Sequence, residues 1–210
     1  MEDLKKVFAG KLLGIKAIKL QPNDPFTWAS GWKSPFYCDN RKTLSFHDVR
    51  SFVKLELVHA ILANFPEATA VAGVATGAIA QGMLVADELA LPYAYVRPKP
   101  KDHGMKNQIE GELPTGSKVV VVEDLISTGG SSLKAVAALR EAGFEVVGMV
   151  ASYTYGFPVA EEAFREAHVK LVTLTDYEHV VEKALETGYI KEDEVAMLHD
   201  WRKDPANWKK

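Results

Sequence analysis

The most constraining feature of this sequence is the run Val119-Val120-Val121-Val122, followed at once by Glu123-Asp124-Leu125-Ile126-Ser127-Thr128-Gly129-Gly130-Ser131. Four consecutive β-branched residues present no polar face, so the run predicts a strand buried on both sides, as in parallel sheets covered by helices. The flanking pattern agrees. Strands are predicted over residues 69–75, 93–97, 118–123, 145–152 and 169–175. Helical spacing of apolar residues marks 79–89 and 131–141, with Gly143 as a stop signal. Strands alternating with helices predict βαβ crossovers and a mostly parallel α/β sheet flanked by helices.

The first 65 residues read differently, with an amphipathic helix near the start, a turn-rich stretch over 21–34 and a longer helix over 47–63. They are expected to form a small N-terminal cap, residues 1–65, on an α/β core, residues 66–210, the two making one compact unit. Residues 97–117 are rich in proline, glycine and charge without sustained periodicity and predict a long mobile loop. Loops of that length inside compact domains are usually functional.

Composition narrows the function classes. A formal net charge of -3 over 210 residues excludes a broad electrostatic footprint for nucleic acid or an anionic membrane. A single cysteine, Cys38, excludes an internal disulfide and a Cys-rich zinc site. The start, Met1 to Lys6, lacks an apolar signal core, and no stretch approaches the roughly 18 uninterrupted apolar residues of a membrane span. A cytoplasmic protein is expected. The cluster Asp200 to Trp208 carries two tryptophans, which near a terminus predict a tail docked on the core.

The chemistry centres on the segment after the valines. Ser127, Thr128, Gly129, Gly130 and Ser131 offer hydroxyls, backbone N–H groups and the positive end of a helix, a cradle for a phosphate monoester. Glu123 and Asp124, at the carboxyl end of a strand, can accept hydrogen bonds from the vicinal hydroxyls of a ribose. Acids after a strand also cap helices, and Ser-Thr-Gly-Gly is a common turn, but the combination is harder to explain that way. The glycines lack the Gly-Lys-Ser/Thr of a Walker loop and the Gly-x-Gly-x-x-Gly of a dinucleotide site. A second small-residue turn, Val71-Ala72-Gly73-Val74-Ala75-Thr76-Gly77-Ala78, suits close approach of a pyrophosphate to backbone amides, or simply tight packing of strand and helix.

The Val119–Ser131 segment resembles the signature with which type I phosphoribosyltransferases bind phosphoribosyl pyrophosphate (PRPP), Leu125 and Ile126 included. The segment Arg97-Pro98-Lys99-Pro100-Lys101-Asp102-His103-Gly104, with Ile109-Glu110-Gly111 beyond it, closely resembles the catalytic loop of orotate phosphoribosyltransferases. Phe26 to Arg41 looks like the base-binding cap of that family. The resemblance implies the type I phosphoribosyltransferase fold and transfer of phosphoribosyl from PRPP to orotate, a step of pyrimidine (UMP) biosynthesis. It implies Mg²⁺ held by the substrate rather than by protein ligands. It also implies a homodimer in which loop 97–117 reaches the neighbouring site. Arg97, Lys101 and His103 match the PRPP-binding loop position by position, with Lys101, His103, Glu123 and Asp124 as the catalytic set. Orotate contacts fall to Ser127, Lys33 and Arg41, the last suited to bidentate carboxylate binding.

The chain departs from the enterobacterial branch at Ala29, at Ala75-Thr76 and at Pro98, each of which removes a cation. No arginine follows the fourth core strand in Ser152-Tyr153-Thr154-Tyr155-Gly156. Two rivals remain: an enzyme of the same fold acting on another base, and a PRPP-sensing regulator. The latter predicts a DNA-binding segment or basic face that neither length nor charge offers.

Overall fold

The computed structural model describes residues 3–27, 33–99, 108–205 and 207–208. The chain divides into two compact units, Met1–Phe46 with Thr175–Lys210, and His47–Leu174. The expected boundary at residue 65 is therefore redrawn. The helix after residue 47 belongs to the α/β unit, and the C-terminal residues belong with the N-terminal segment.

The first unit opens with α1 (Leu4–Gly14), capped by the Asp3 carboxylate, which accepts from the Lys5 amide at 2.9 Å. Two short antiparallel ribbons follow, β1 (Ile18–Leu20) with β4 (Phe36–Cys38) and β2 (Phe26–Thr27) with β3 (Lys33–Ser34), and then a 3-10 helix over Asn40–Ser45.

The second unit begins with α2 (His47–Asn64). It continues through β5 (Ala70–Val74), α3 (Ile79–Leu89), β6 (Tyr93–Val96), β7 (Ile109–Glu110), β8 (Lys118–Ile126), α4 (Gly130–Glu141), β9 (Glu145–Thr154), α5 (Pro158–Glu166) and β10 (Leu171–Asp176), whose last two residues fall in the first unit. The six strands form one sheet in the order β10-β9-β8-β5-β6-β7. The β9-β8, β8-β5 and β5-β6 pairs are parallel, as the alternation predicts. Val119 to Val122 have no exposed surface, which fits a strand with neighbours on both edges and helices on both faces. Phe65 packs so closely on the sheet that a Cβ at Gly148 would lie 2.1 Å from its ring.

Two expectations are corrected here. β8 runs to Ile126 rather than ending at Glu123, so both acids lie within the strand and not at its carboxyl end. Leu125 and Ile126 continue the ladder opposite Tyr153 and Thr154, and the Ile126 side chain is fully buried. The segment 97–117 is not wholly irregular: Ile109 and Glu110 pair antiparallel with Val96 and Tyr95 at the sheet edge.

The chain ends with α6 (Tyr177–Glu186) and α7 (Glu192–Lys203), which return to the first unit. Trp201 is completely buried and stacks on Phe36, ring centroids 6.3 Å apart and 2° from parallel. The Tyr177 hydroxyl donates to the Leu198 carbonyl at 2.7 Å. The docking expected of the C-terminal tryptophans is thus met at Trp201, within α7.

Candidate active site

The sheet order reverses between β5 and β8. From β5 the chain crosses through α3 to β6 on one side, whereas from β8 it crosses through α4 to β9 on the other. Gly73 of β5 lies opposite Val122 of β8, so both strands deliver their following turns to the same edge. Such a switch point at the carboxyl ends of parallel strands is where open α/β sheets bind ligands.

The two turns touch. A Cβ built on Gly77 would fall 2.2 Å from Oδ2 of Asp124 and 2.5 Å from Oδ1, so the half-exposed Asp124 carboxylate rests directly on the Gly77 backbone. Gly73 has a different duty. Its missing side chain leaves room for the Tyr93 phenol at 2.5 Å and the Ala78 carbonyl at 2.9 Å, and the phenol donates to the Ile79 carbonyl at 2.7 Å. The packing explanation therefore holds at Gly73, while Gly77 opens the site. The intervening Ala75-Thr76 peptide is cis.

After β8, Gly129 takes the left-handed conformation at φ 80°, and a Cβ there would lie 2.8 Å from the Phe164 ring. Both constraints favour glycine. The turn launches α4 at Gly130, whose first-turn N–H groups have no acceptor within the helix and carry its positive end. Thr128, Gly130 and Ser131 are exposed and Ser127 is half-buried, so the turn is open to a ligand. Ile126 is confined to the frame, its side chain in the core and its carbonyl accepting from the Tyr155 amide at 3.0 Å.

The two acids differ in exposure. Glu123 is 4% exposed. Its Oε1 accepts from the Asp124 amide at 2.9 Å and its Oε2 from the Ser132 hydroxyl at 2.7 Å. Burial, and then the neighbouring Asp124 charge, push its carboxyl up to about 8. Ser132, in the first turn of α4, was not singled out from the sequence; its signal was a second serine at the helix start.

A model of the phosphoribosyl transferase domain matches residues 56–187. The orotate phosphoribosyltransferase of Bacteroides thetaiotaomicron is 69% identical over 208 residues, 99% of this chain and 98% of that protein. The chain belongs to the orotate phosphoribosyltransferase family. The solved orotate phosphoribosyltransferase of Aeropyrum pernix superposes with a TM-score of 0.76 at 30% identity, over 88% of this chain and 99% of that one. Leishmania donovani UMP synthase gives 0.79 at 23% identity, over 95% of this chain and 42% of that longer one, a likeness that concerns the fold alone.

Other residues expected to serve an orotate phosphoribosyltransferase are variously placed. Arg97 follows β6, and its amide donates to the Gln108 carbonyl at 2.8 Å while the Gln108 side-chain amide donates to the Arg97 carbonyl at 2.9 Å. Its guanidinium lies 3.6 Å from the Glu110 carboxylate. Lys101 and His103 lie outside the described residues. In the first unit, the Lys33 ammonium donates to the Thr27 hydroxyl at 2.9 Å. The Arg41 guanidinium donates to Asp39 at 2.7 Å and holds that carboxyl below its ordinary range. Among the described residues no group of three or more His, Cys, Asp or Glu is arranged to hold a metal ion. No helix among them is long and apolar enough to cross a membrane.

Proposed function

We propose that this chain transfers the 5-phosphoribosyl group of PRPP to orotate, releasing pyrophosphate and forming orotidine 5′-phosphate. The observation that carries the reading is the contact of Asp124 with the Gly77 turn beside the start of α4. It gathers a carboxylate, a backbone-lined turn and a helix N-terminus at one switch point. These suit, in order, a ribose diol, a pyrophosphate and a 5-phosphate.

In the reaction the bond from C1 to pyrophosphate lengthens before the base nitrogen arrives, so the sugar gains positive and the leaving group negative charge. Ser127 to Ser131 hold the 5-phosphate. Asp124 accepts from the ribose hydroxyls and stabilises the cationic sugar by proximity. Arg97, Lys101 and His103 neutralise the departing pyrophosphate, the setting in which preorganised charge is most effective. Ser127, with Lys33 or Arg41, reads orotate. Mg²⁺ would be held by the pyrophosphate oxygens and ribose hydroxyls of PRPP rather than by protein ligands. When bound, the ion would screen the pyrophosphate charge. A cytoplasmic homodimer sharing segment 97–117 between neighbouring sites completes the proposal.

The test is the fall of orotate absorbance with PRPP and Mg²⁺, run beside hypoxanthine, adenine and uracil. Loss of orotate that stops when PRPP is withheld supports the reading. Turnover of another base alone would replace the substrate, and PRPP binding without turnover would favour a sensor.

A further inference from the structure

The turn over residues 75–78 leads directly into α3, and three contacts seat the start of that helix on the sheet. α3 lies so close to β5 that a Cβ at Gly82 would fall 3.2 Å from the Gly73 Cα and 3.0 Å from the Tyr93 ring. On the β6 side the Tyr93 hydroxyl donates to the Ile79 carbonyl at 2.7 Å. On the β9 side the Ser152 hydroxyl donates to Oε1 of Gln81 at 2.9 Å, and both residues are buried. β6 and β9 are the outer members of the run β9-β8-β5-β6, so the two hydroxyls hold the first turn of α3 from opposite flanks.

We propose that Gln81 and Ser152 are a positioning pair that fixes the turn 75–78 for pyrophosphate. If packing were the only duty of position 81, an apolar side chain of similar size would serve it better, because a buried amide and a buried hydroxyl each lose water and need a partner in return. Ser152 stands between Ala151 and Tyr153, which pair with Glu123 and Leu125, so it is level with Asp124 on the neighbouring strand. Gln81 therefore reaches across β8 beside the carboxylate that rests on Gly77. Within the turn, the Ala75 and Ala78 amides donate to the Val96 and Val74 carbonyls at 2.9 and 3.1 Å. The amides of Thr76 and Gly77 have no backbone acceptor among the described residues and are the ones a ligand would meet. A hydrogen bond is directional where apolar packing is not, so the pair sets the rotation of the first turn of α3 and with it the direction of those two amides.

The inference rests on the turn 75–78 being the pyrophosphate turn. Its test compares Q81L, S152A and the Q81L/S152A double variant with wild type. Product inhibition by pyrophosphate at fixed Mg²⁺ reads the turn, and titration of ribose 5-phosphate reads the Ser127–Ser131 cradle. Each single variant should raise the pyrophosphate Ki and the KM for PRPP about tenfold, the weight of one buried hydrogen bond with a partner left unpaired, while the ribose 5-phosphate Kd stays within about twofold. The double variant should match the weaker-binding single variant, because both changes remove the same bond. If Q81L does not fold, as judged by circular dichroism at the assay temperature, S152A carries the same comparison. A pyrophosphate Ki in S152A within about twofold of wild type would overturn the proposal, because a lost buried hydrogen bond acts on more than that scale. So would equal weakening of pyrophosphate and ribose 5-phosphate, which would mark a general loss of structure, and so would single effects that multiply in the double variant. Failure of pyrophosphate to inhibit wild type would remove the pyrophosphate reading of the turn itself and the role of the pair with it, whereas the variant outcomes overturn the pair alone.

Discussion

The contact between Gly77 and Asp124 gives the sharpest prediction, through Gly77→Ala. Alanine is conformationally permitted there, since Gly77 is not among the glycines with positive φ. The backbone amide is kept, so the turn retains its donors for pyrophosphate. What changes is the carboxylate. A Cβ at 2.2 Å from Oδ2 must be relieved to at least 3.0 Å, and the movable partner is the end of the Asp124 side chain. The carboxylate must therefore retreat by about 0.8 Å, and misplacement near 1 Å at a reacting centre can cost about 100-fold in rate. G77A should fold with a Tm within a few degrees of wild type and lose about 100-fold in kcat/KM for PRPP. Initial rates of orotate consumption, with circular dichroism melts as the control, decide it. A folded G77A retaining kcat/KM within threefold would refute the claim that Asp124 must stand where it does.

Other outcomes follow from the same structure. Gly148→Ala drives a methyl into the Phe65 ring, which cannot swing away as a carboxylate can, and should cost about 2–3 kcal/mol in urea unfolding. Trp201→Ala removes the ring stacked on Phe36 and should cost about 3–5 kcal/mol, read by the same assay. Between its ordinary value of 4.5 and about 8, Glu123 keeps a proton in the folded chain that the unfolded chain has released. Its contribution to stability therefore falls as pH rises across that window, and E123Q should remove that part of the slope in melts run from pH 5 to 9. Lys101→Ala should lower kcat more than it raises KM, because its contact strengthens as charge develops; an unchanged kcat would remove it from the catalytic set.

Much of the α/β unit was legible because its signals are local. The valine run predicted a doubly buried strand, and the helix predicted over 79–89 is α3 itself. The C-terminal helices were equally available: Tyr177, Val180, Val181 and Ala184 recur at helical spacing and are the buried face of α6. What could not be read was long-range. Nothing in residues 1–65 says that α2 joins the sheet unit, or that Phe36 waits for a tryptophan 165 positions away. The site divides the same way. The cradle from Ser127 to Ser131 was visible as a turn into a helix, but the contact between Asp124 and Gly77 requires the β5-β8 pairing, which no local pattern encodes.

The acids show how far residue type alone can carry an assignment. Two carboxylates side by side in sequence invite one role for both, as vicinal acceptors for vicinal hydroxyls. β8 extends three residues past Glu123, and the two carboxyls differ in exposure while staying close enough to interact. One meets a helix start, a serine and almost no water; the other meets a glycine turn and partial solvent. Desolvation, and then the neighbouring Asp124 charge, push the Glu123 carboxyl up to about 8. β8 reaches Ile126 because two apolar residues, Leu125 and Ile126, extend its pairing with β9.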